Sequence, residues 1–508
     1  MRSEKDPAEK DPADWIDDGA RRGPHRPFLR TPEGRELSYA GLAALIARFA
    51  SALTARGVEQ GDRVAAQVDK SVDAVLLYLA CLDVGAAFVP INTANTENEV
   101  DYFLRDARPR LAVVKPASRA LLEPVASRAQ VSHLETLGGE GEGSLPELVG
   151  RCAAGARPVR RWSADSLAAI VYTSGTTGRA KGAMLTRGNL ASNAEVLAEA
   201  WQFTENDVLL HTLPLFHVHG LLAAINTVLA SRSSLLLLPK FDAASVLMHL
   251  PAATVYMGVP THYTRLLQEP GLDRTAAAGM RLFISGSAPL LAETHREFSR
   301  RTGHRIIERY GMTETLMNSS NPYDGERVPG SVGPALPGVS IRVSNAADGI
   351  GSLEINGPNV FAGYWGDAEK TRAEFTSDGW FKTGDVGRIE NDGYVYIMGR
   401  AKDLVISGGY NVYPKEVETE LDALTGVLES AVFGVPHPDF GEGVTAAVVR
   451  EPGAAVSEAD IIRAVKARLA GYKIPKRILF LDDLPRNAMG KVQKNALRST
   501  YAALYLGE

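Results

Sequence analysis

The sequence of 508 residues predicts an α/β protein with a large N-terminal part and a smaller C-terminal α+β domain. Strand-like apolar runs alternate with helix-like segments through the first 400 residues, which is typical of sheets covered by helices. After Arg400 the pattern changes to short strands that flank two helices. Hydrophobic residues make up 45% of the chain, which is enough for a sizeable core.

The N-terminal elements follow in order along the chain. Leu167–Tyr172 predicts a buried strand, and apolar residues at helical spacing from Leu190 to Trp201 predict a helix beyond a Gly/Thr-rich loop. Further strands are predicted at Thr254–Val259, Met280–Ile284 and Arg305–Glu308, and the last two run into the turns SGSAP and YGMTE. Because ligands usually bind at the carboxyl ends of strands in such folds, these loops are expected to form the functional site.

The C-terminal unit is predicted to contain two helices between short strands. One helix starts around Pro414, and the other starts at Ser457, where Asp460 gives a pattern like a capping box. The segment Gly399–Asp403 (GRAKD) marks the boundary, so that residues 1–400 and 401–508 are the two predicted domains. The predicted strands of this unit are Leu404–Ile406, Ala431–Val435, Val444–Val449 and Ile478–Leu481.

Charge and cysteine content exclude several classes of protein. The net charge is −5 at pH 7, so no general attraction to nucleic acid or to an anionic membrane is expected. With two cysteines, Cys81 and Cys152, and no CxxC motif, neither a disulfide framework nor a structural zinc site is expected. This cysteine content fits a reducing compartment.

Residues 1–14 are acidic, contain EKDPA twice in tandem, and predict a solvated, mobile tail. They lack the apolar stretch of a signal peptide and the acid-poor composition of a transit peptide. The apolar run Ala74–Leu82 lies between Asp73 and Asp83 and is far shorter than the ~20 residues that span a bilayer. The sequence therefore predicts a cytoplasmic protein that does not enter the membrane.

The strongest local signal is a loop dense in Gly, Ser and Thr between Tyr172 and Gly182. Small residues present backbone N–H groups and hydroxyls to polyphosphate oxygens, and a lysine adds positive charge. The spacing is not that of a Walker A loop. The loop predicts a phosphate site formed by Thr173, Ser174, Gly175, Thr176, Thr177, Gly178 and Lys181.

This loop resembles the phosphate-binding signature of the adenylate-forming superfamily, which includes acyl-CoA synthetases, adenylation domains of nonribosomal peptide synthesis and firefly luciferase. Further motifs of the superfamily follow in the same order, so that the resemblance extends from about Trp15 to the C-terminus. They are Tyr310–Glu314 (YGMTE), Gly379–Asp385 (GWFKTGD), Gly399–Asp403 (GRAKD), Ser407–Tyr410 (SGGY) and Pro485–Lys491 (PRNAMGK).

The resemblance implies a two-step reaction. ATP and a carboxylate give an acyl-adenylate and pyrophosphate, and a thiol then displaces AMP. Because both reactants of the first step are negative, the site must neutralise charge and hold them in line. The resemblance implies Mg²⁺ as cofactor, ATP and coenzyme A as co-substrates, an N-terminal adenylation domain and a hinged C-terminal domain.

The matched positions take their expected roles from the superfamily. The resemblance implies Lys491 as the catalytic lysine between the carboxylate and the α-phosphate, where charge develops. It implies Glu314 as a Mg²⁺ ligand and Thr313 as a contact of the α-phosphate. The remaining nucleotide contacts that it implies are Tyr310 stacked on adenine, Ser287, Ala288 and Pro289 along the base, Asp385 on the ribose hydroxyls, and Arg400.

The resemblance also implies that the C-terminal domain moves. Lys402 occupies the hinge position, and rotation there exchanges an adenylating pose, which brings in Lys491, for a thioester-forming pose. In the second pose Ser407, Gly408 and Gly409 are expected to line a pantetheine tunnel, where glycine permits close backbone approach. If a lysine acetyltransferase and deacetylase act on the chain, acetylation of Lys491 is expected to stop adenylation by removing its charge.

The prediction of the acid rests on departures in two pocket segments. Arg265 follows Pro260 by little more than a helical turn, where related synthetases usually carry apolar residues. A guanidinium facing a pocket is costly unless it meets an anion, and a second carboxylate of the substrate is the simplest partner. His219, two residues after His217, stands where an aromatic or small residue is more usual. Both departures predict a short polar pocket for a diacid.

This combination resembles malonyl-CoA synthetases, as do the stretches Gln67–Ala80, Asn92–Phe103 and Arg281–Phe298. The resemblance implies malonate as the acid, with methylmalonate tolerated. The predicted malonate residues are Arg265 at the distal carboxylate, His217, His219, Ser287, and Met317 as a wall that limits chain length.

Several alternatives stay open at this point. The chain could be an acyl-CoA synthetase for another small or aryl carboxylate, or a stand-alone adenylation module that loads a carrier protein. Arg265 could be a helix-surface residue paired with an acid, and the two histidines could be core residues satisfied by the backbone. A metal site at His217 and His219 is not expected, because the sequence offers no convincing third ligand.

Overall fold

The structure, a computed structural model, describes residues 11–153, 162–173, 180–347, 349–407, 410–488 and 490–505. The described residues form four β-sheets and fifteen α-helices, which confirms the predicted α/β fold class. Residues 1–10 of the predicted tail lie outside these ranges. So do the predicted site residues Ser174, Gly175, Thr176, Thr177, Gly178, Gly408 and Gly409.

The described strands, in chain order, are β1 (Pro27–Arg30), β2 (Glu36–Ser38), β3 (Arg63–Gln67), β4 (Ala87–Pro90), β5 (Leu111–Val114), β6 (His133–Thr136), β7 (Leu167–Thr173), β8 (Lys181–Thr186), β9 (Val208–His211), β10 (Ser234–Leu237), β11 (Val255–Gly258), β12 (Leu282–Ser285), β13 (Ile307–Met312), β14 (Leu316–Ser320), β15 (Ser340–Ala347), β16 (Ile350–Asn356), β17 (Gly363–Tyr364), β18 (Phe381–Ile389), β19 (Val395–Arg400), β20 (Val405–Ser407), β21 (Tyr410–Val412), β22 (Val427–His437), β23 (Gly441–Arg450) and β24 (Arg477–Leu481).

The described α-helices are α1 (Pro12–Arg22), α2 (Tyr39–Ala55), α3 (Val72–Val84), α4 (Glu97–Ala107), α5 (Arg119–Arg128), α6 (Ser144–Arg151), α7 (Arg187–Ala200), α8 (Asn226–Ser231), α9 (Ala243–His249), α10 (Pro260–Leu266), α11 (Ala292–Thr302), α12 (Ala368–Glu374), α13 (Pro414–Asp422), α14 (Glu458–Lys466) and α15 (Lys494–Thr500).

An eight-stranded sheet carries most of the predicted site loops. Its order is β14-β13-β12-β11-β9-β10-β1-β2, and the neighbours from β13 to β1 are parallel. Their carboxyl ends therefore lie at one edge, as ligand sites of such sheets require. The three strands predicted between residues 254 and 308 are β11, β12 and β13, although β13 continues through Met312 into the YGMTE motif.

A second, seven-stranded sheet has the order β17-β8-β7-β4-β3-β5-β6. The predicted strand at Leu167 is β7, and the predicted helix after it is α7. Between them lies β8, an antiparallel partner of β7 that the sequence did not predict. Thr173 is paired with Lys181 in this ladder, so the two strands bring both ends of the Gly/Thr-rich loop together.

Helix α3 explains the apolar run at residues 74–82. Every residue of the helix is buried, and it packs on α2 and β4. A helix that is apolar on all sides is a core element in a protein of this size. Among the described helices, none combines the length and the apolarity that crossing a membrane requires.

The first described residues are fixed to the core. Asp11 caps the N-terminus of α1 through a bond from the Ala13 N–H, and its carboxylate accepts a hydrogen bond from Arg187 Nη2 at 2.6 Å. Arg187 is only 1% exposed, so this ion pair is buried on one side. The prediction of a mobile tail is therefore wrong for residues 11–14, because a helix cap and a buried cation hold them.

The four-stranded antiparallel sheet β15-β16-β18-β19 leads to the C-terminal part. There, strands β21, β20, β23 and β22 form a further sheet, and β24 joins β23 in parallel. Its two apolar clusters draw only on residues between Val405 and Tyr505. Helix α13 starts at Pro414, and Ser457 caps α14 with Asp460 completing the capping box, as predicted. The exact boundary at residue 400 stays a prediction.

Candidate active site

Three predicted nucleotide residues meet at one carboxylate. Asp385 on β18 is buried, accepts a hydrogen bond from the hydroxyl of Tyr310, and pairs with Arg400 Nε at 2.8 Å. Arg400 also donates from Nη1 to the carbonyl of Thr383 at 3.0 Å. Burial and the nearby Asp385 charge raise the pKa of Tyr310 well above its ordinary value, so the phenol remains a donor. The structure thus joins β13, β18 and β19 in one polar cluster.

A second group contains the predicted Mg²⁺ ligand. Glu314 is 7% exposed, and its Oε1 accepts a hydrogen bond from the hydroxyl of Tyr364 at 3.0 Å. Lys181 Nζ lies 5.3 Å from the centroid of the Tyr364 ring. Tyr364 was missed by the sequence reasoning, and it connects the predicted phosphate lysine to the predicted metal ligand. Thr313 is half-buried on the same turn.

Glu314 fits the role of a Mg²⁺ ligand. Burial raises the pKa of the Glu314 carboxyl although Tyr364 hydrogen-bonds to it. A bound cation would offset the cost of burying the ionised carboxylate. The adjacent Thr315 hydroxyl is buried and has no hydrogen-bond partner within the described ranges. Mg²⁺ in nucleotide sites is typically held by one or two carboxylates together with phosphate oxygens. A single buried carboxylate beside the nucleotide cluster agrees with that pattern.

Lys491 stands at the nucleotide cluster. Its segment forms a tight turn in which the N–H of Lys491 donates to Asn487 Oδ1 at 3.0 Å. Partial burial and the charge of Arg400 lower the pKa of Lys491, while Asp385 and Asp403 act in the opposite direction. These four groups are thus close enough to act on one another, and the catalytic role of Lys491 stays a prediction.

Arg309 is a buried cation that the sequence reasoning missed. It lies on β13 directly before Tyr310, is 4% exposed, and its Nε and Nη2 have no hydrogen-bond partner in the described parts of the chain. Burial lowers its pKa to about 9. Gly286 makes room for it, since a Cβ there would lie 2.4 Å from Arg309 Cζ. The signal available in the sequence was a charged residue at a buried strand position.

Two predicted pocket histidines lie next to this cation. The N–H of His219 donates to His217 Nδ1 at 3.3 Å, and His219 Nδ1 lies 3.4 Å from the hydroxyl of Ser287. His219 Nε2 is buried and has no partner among the described residues. Burial, with the charge of Arg309, lowers the pKa of His217 to about 4 and that of His219 well below its ordinary value. Both imidazoles are therefore neutral near pH 7.

The turn after β12 presents its hydroxyl through an unusual backbone conformation. Ser287 has φ of +72°, in the left-handed region that non-glycine residues rarely adopt. Such strain persists where the surroundings fix it, as at ligand sites. Ala288 and Pro289 continue this turn and stay partly accessible, as expected of residues along a base. Their predicted nucleotide contacts stay predictions.

Arg265 differs from the buried Arg309 in its exposure. Arg265 lies on α10, is exposed, and lines a cavity of about 1040 Å³. Met317 on β14 is buried in the main core, and its carbonyl accepts a bond from Asn193 Nδ2 at 3.0 Å. The malonate roles of Arg265 and Met317 stay predictions.

Two residues of the expected moving region, Lys402 and Ser407, lie within the described ranges. Lys402 is exposed within a short 3₁₀ turn, Ala401–Asp403. Arg498 on α15 pairs with Asp403 at 2.8 Å and so ties this turn to α15. Ser407 is buried at the end of β20. Their hinge and tunnel roles stay predictions.

Comparison with known proteins gives the family. Residues 16–365 match the family model of AMP-binding enzymes, and residues 416–491 match that of the AMP-binding enzyme C-terminal domain. The first match alone covers more than half of the chain. The chain belongs to the AMP-binding enzyme family. Of the nucleotide cluster, Tyr310 lies within the first match and Asp385 and Arg400 lie between the two matches, while Lys491 is the last residue of the second.

Three proteins illustrate how this family member relates to others. The crystal structure of ATP-bound MatB from Rhodopseudomonas palustris superposes with a TM-score of 0.94 at 54% identity, over 97% of this chain and 99% of that one. The malonate–CoA ligase of Arabidopsis thaliana is 40% identical over 66% of this chain and 61% of its own length. The indoleacetate–CoA ligase of Aromatoleum aromaticum is 34% identical over 96% of this chain and 98% of its own.

Acid is expected to destabilise this enzyme between pH 6.5 and about 4. Burial lowers the pKa of His217 to about 4 and of His262 to about 3, from an ordinary 6.5. In that range the unfolded chain binds more protons than the folded one, so each such histidine removes about 1.4 kcal/mol per pH unit as the pH falls. The pKa of four other histidines is lowered in the same way, namely His211, His219, His295 and His304.

Three buried carboxyls oppose the acid destabilisation, but they are fewer than the six histidines. Burial raises the pKa of Glu308 to about 8 and of Asp422 to about 7, and it raises that of Glu314. These groups favour the folded state as the pH falls. Because the six histidines outnumber them, the urea midpoint is expected to be lower at pH 5 than at pH 7. A higher midpoint at pH 5 would show that the carboxyls dominate.

Proposed function

We propose that this enzyme ligates malonate to coenzyme A, with ATP and Mg²⁺, through a malonyl-adenylate and with release of AMP and pyrophosphate. Methylmalonate is tolerated as an alternative acid. The observation that carries the proposal is Arg309, a buried guanidinium with unpaired donors beside two neutral histidines and a serine hydroxyl. The Arabidopsis relative, which is a malonate–CoA ligase, supports the same acid.

The chemistry of the pocket favours a diacid over a monoacid. A buried guanidinium without a carboxylate is costly, and a substrate carboxylate removes that cost through two parallel charge-assisted hydrogen bonds. The donors of Arg309 that lack partners are Nε and Nη2, which lie on one edge of the guanidinium. Ser287 and the neutral His219 add hydrogen bonds beside it. We therefore place the distal carboxylate of malonate at Arg309.

Arg265 remains the rival for this contact. Arg265 is exposed, so water solvates its guanidinium and it does not need a bound anion as the buried Arg309 does. It lines the large cavity, whereas Arg309 lies against the turn that follows β12. The two assignments make opposite predictions for single substitutions of Arg265 and Arg309.

In the first half-reaction, the residues of this chain bind the nucleotide and neutralise charge. Asp385 and Arg400 face the ribose, Tyr310 and the turn at Ser287 face the base, and Lys491 stabilises charge between the carboxylate and the α-phosphate. Glu314 and the phosphates would hold Mg²⁺, which neutralises the phosphate oxygens when bound. A soluble cytoplasmic setting for this reaction stays a prediction.

Pyrophosphate release over a panel of acids tests the proposed function. Malonate and methylmalonate should support it, with acetate, succinate, coumarate and indoleacetate much weaker. The last acid belongs in the panel because a relative of 34% identity is an indoleacetate–CoA ligase. Preference for an aryl or monocarboxylic acid would overturn the choice of malonate. Formation of malonyl-CoA from free coenzyme A separates the ligase from a module that loads a carrier protein.

The hinge proposal predicts that Lys402→Pro slows thioester formation far more than adenylation. Proline fixes φ and removes a backbone donor, so it restricts rotation at residue 402 without touching the nucleotide cluster. Lys402 is exposed, so that its side chain contributes little to packing. Rapid-quench measurement of both half-reactions, with Lys402→Ala as control, checks the result. Equal slowing of the two half-reactions would remove the hinge role.

The proposal extends to control by acetylation at Lys491. The side chain stays accessible in this structure, and its charge is what the first half-reaction needs. Acetylation by a lysine acetyltransferase would remove that charge and spare the thioester step, and a deacetylase would restore activity. Adenylation that is insensitive to acetylation at this residue would exclude the mechanism.

A further inference from the structure

The turn that carries Lys491 is closed by bonds within its own segment. The N–H of Lys491 donates to Asn487 Oδ1, and the N–H of Asn487 donates to the carbonyl of Lys491, both at 3.0 Å. The N–H of Gly490 donates to the carbonyl of Asn487 at 2.9 Å, and Gly490 has φ of +72°, a value that favours glycine. These bonds fix the shape of the turn, but none of them attaches it to the rest of the domain.

Arg486 attaches this turn to the C-terminal sheet. Its Nη2 pairs with the carboxylate of Glu429 on β22, and its Nη1 donates to the carbonyl of Gly490 at 2.8 Å. One planar guanidinium thus bridges a strand of the sheet and the residue directly before Lys491. The side chains of Arg486 and Glu429 are only 23% and 22% exposed, so this ion pair is better shielded from water than a typical surface pair.

The chain on either side of the turn is held independently of Arg486. Leu484 before the turn and Leu497 after it belong to an apolar cluster with residues of β22 and β23. Lys494, the first residue of α15, pairs with Glu418 on α13 at 2.5 Å. Loss of the Arg486 bridge should therefore loosen the turn while the chain on both sides of it stays packed on the domain.

Small displacements of this turn matter for two reasons. A lysine side chain is a flexible four-carbon stem, so the backbone of the turn decides where the ammonium of Lys491 can reach. The turn also lies tightly against the N-terminal part, since a Cβ at Gly490 would lie 2.7 Å from Thr261 Oγ1 on α10. A shift of about 1 Å in a group that positions or stabilises reacting atoms can cost about 10²-fold in rate.

We infer that Arg486 is a positioning residue, which holds the Lys491 turn on the C-terminal sheet in the geometry that adenylation needs. Its guanidinium acts through Lys491, so its effect is confined to the half-reaction that uses the Lys491 charge. The inference rests on the proposed role of Lys491 in adenylation, but it does not depend on malonate as the acid.

The test is Arg486→Met, measured separately in the two half-reactions with any acid that the enzyme accepts. We expect pyrophosphate release to slow by about 10–10²-fold, while the half-saturating concentrations of ATP and acid change by less than about twofold. Thioester formation from a supplied acyl-adenylate should also stay within about twofold, because that step does not use the Lys491 charge. The control is Arg468→Met, which removes another Arg–Glu pair of the C-terminal part, that with Glu420 at 3.4 Å, and should leave both half-reactions unchanged.

A double-mutant cycle separates positioning from a general structural role. In a Lys491→Gln background, Arg486→Met should slow adenylation by less than about twofold further, because residues that act as a unit are not additive. Additive losses would overturn the inference. Normal adenylation in Arg486→Met with slow adenylation in Lys491→Gln would overturn the inference alone. Unchanged adenylation in Lys491→Gln would instead remove the proposed role of Lys491, and the inference with it.

Arg486→Lys distinguishes the bridge from the ion pair, and it carries the test if Arg486→Met does not fold. Lysine keeps a cation for Glu429 but lacks the planar fork that reaches two acceptors. We expect Arg486→Lys to have the urea midpoint of the unsubstituted enzyme, with adenylation still slow and thioester formation unchanged. Full adenylation activity in this variant, or equal loss in both half-reactions, would contradict the positioning role.

Discussion

Replacement of Arg309 by methionine is expected to lower malonate turnover by about 10³-fold or more, because sites built to pair a polar group discriminate by this order. Without the guanidinium, the distal carboxylate would be buried beside His217 and His219, which are neutral, with no counter-charge. Methionine fills much of the same space without charge. Short monoacids such as butyrate should gain activity at the same time. Pyrophosphate release over concentration series of malonate and butyrate measures both effects.

Arg265→Met is the matched control for this experiment. Both substitutions remove a guanidinium, but Arg265 is exposed and Arg309 is buried. We expect Arg265→Met to retain malonate adenylation within about threefold, as for most exposed positions. The reverse outcome, with malonate turnover lost in Arg265→Met and kept in Arg309→Met, would return the distal carboxylate to Arg265. Loss of butyrate activity together with malonate activity in Arg309→Met would indicate a folding defect instead.

Lys491→Gln should slow adenylate formation by about 10²–10³-fold or more, the range for loss of a preorganised charge stabiliser. Glutamine preserves much of the side-chain length and removes the charge, as acetylation does. Thioester formation from a supplied acyl-adenylate should persist, because that step does not need a cation between the carboxylate and the α-phosphate. Single-turnover assays of the two half-reactions measure the difference.

A surface lysine serves as the control for Lys491. Lys466 is exposed at the end of α14 and lies in the same C-terminal part, so Lys466→Gln should leave both half-reactions unchanged. Comparable loss of adenylation and of thioester formation in Lys491→Gln would contradict the assignment. Such a result would place Lys491 among residues that support the fold rather than the chemistry.

Much of the fold and of the nucleotide cluster could be predicted from the sequence, because both follow from local patterns. Apolar runs gave β7, β11 and β12, and the cap at Ser457 gave the start of α14. The motif residues Tyr310, Asp385 and Arg400 could be assigned to one nucleotide site because their motifs resemble those of the superfamily, and the structure joins them at one carboxylate.

The groups that escaped prediction depend on contacts between distant segments. Strand β8 is short and carries polar ends, so its pattern does not separate it from the loop before it. Tyr364 acts on Glu314 only through the pairing of β17 with β8. Arg309 is a charged residue in apolar surroundings, and burial of a charge is a property of the assembled sheets rather than of the local sequence.

The bond between Asp385 and Arg400 connects the predicted nucleotide site to the chain segment that leads into the predicted hinge. Arg400 ends β19, and the 3₁₀ turn that contains Lys402 begins at the following residue. If Lys402 is the hinge, a ribose that binds the oxygens of Asp385 would weaken the ion pair that holds Arg400 next to it. Nucleotide binding at Asp385 would therefore act through Arg400, which is only two residues from the proposed hinge at Lys402. No relay of contacts through the core is required.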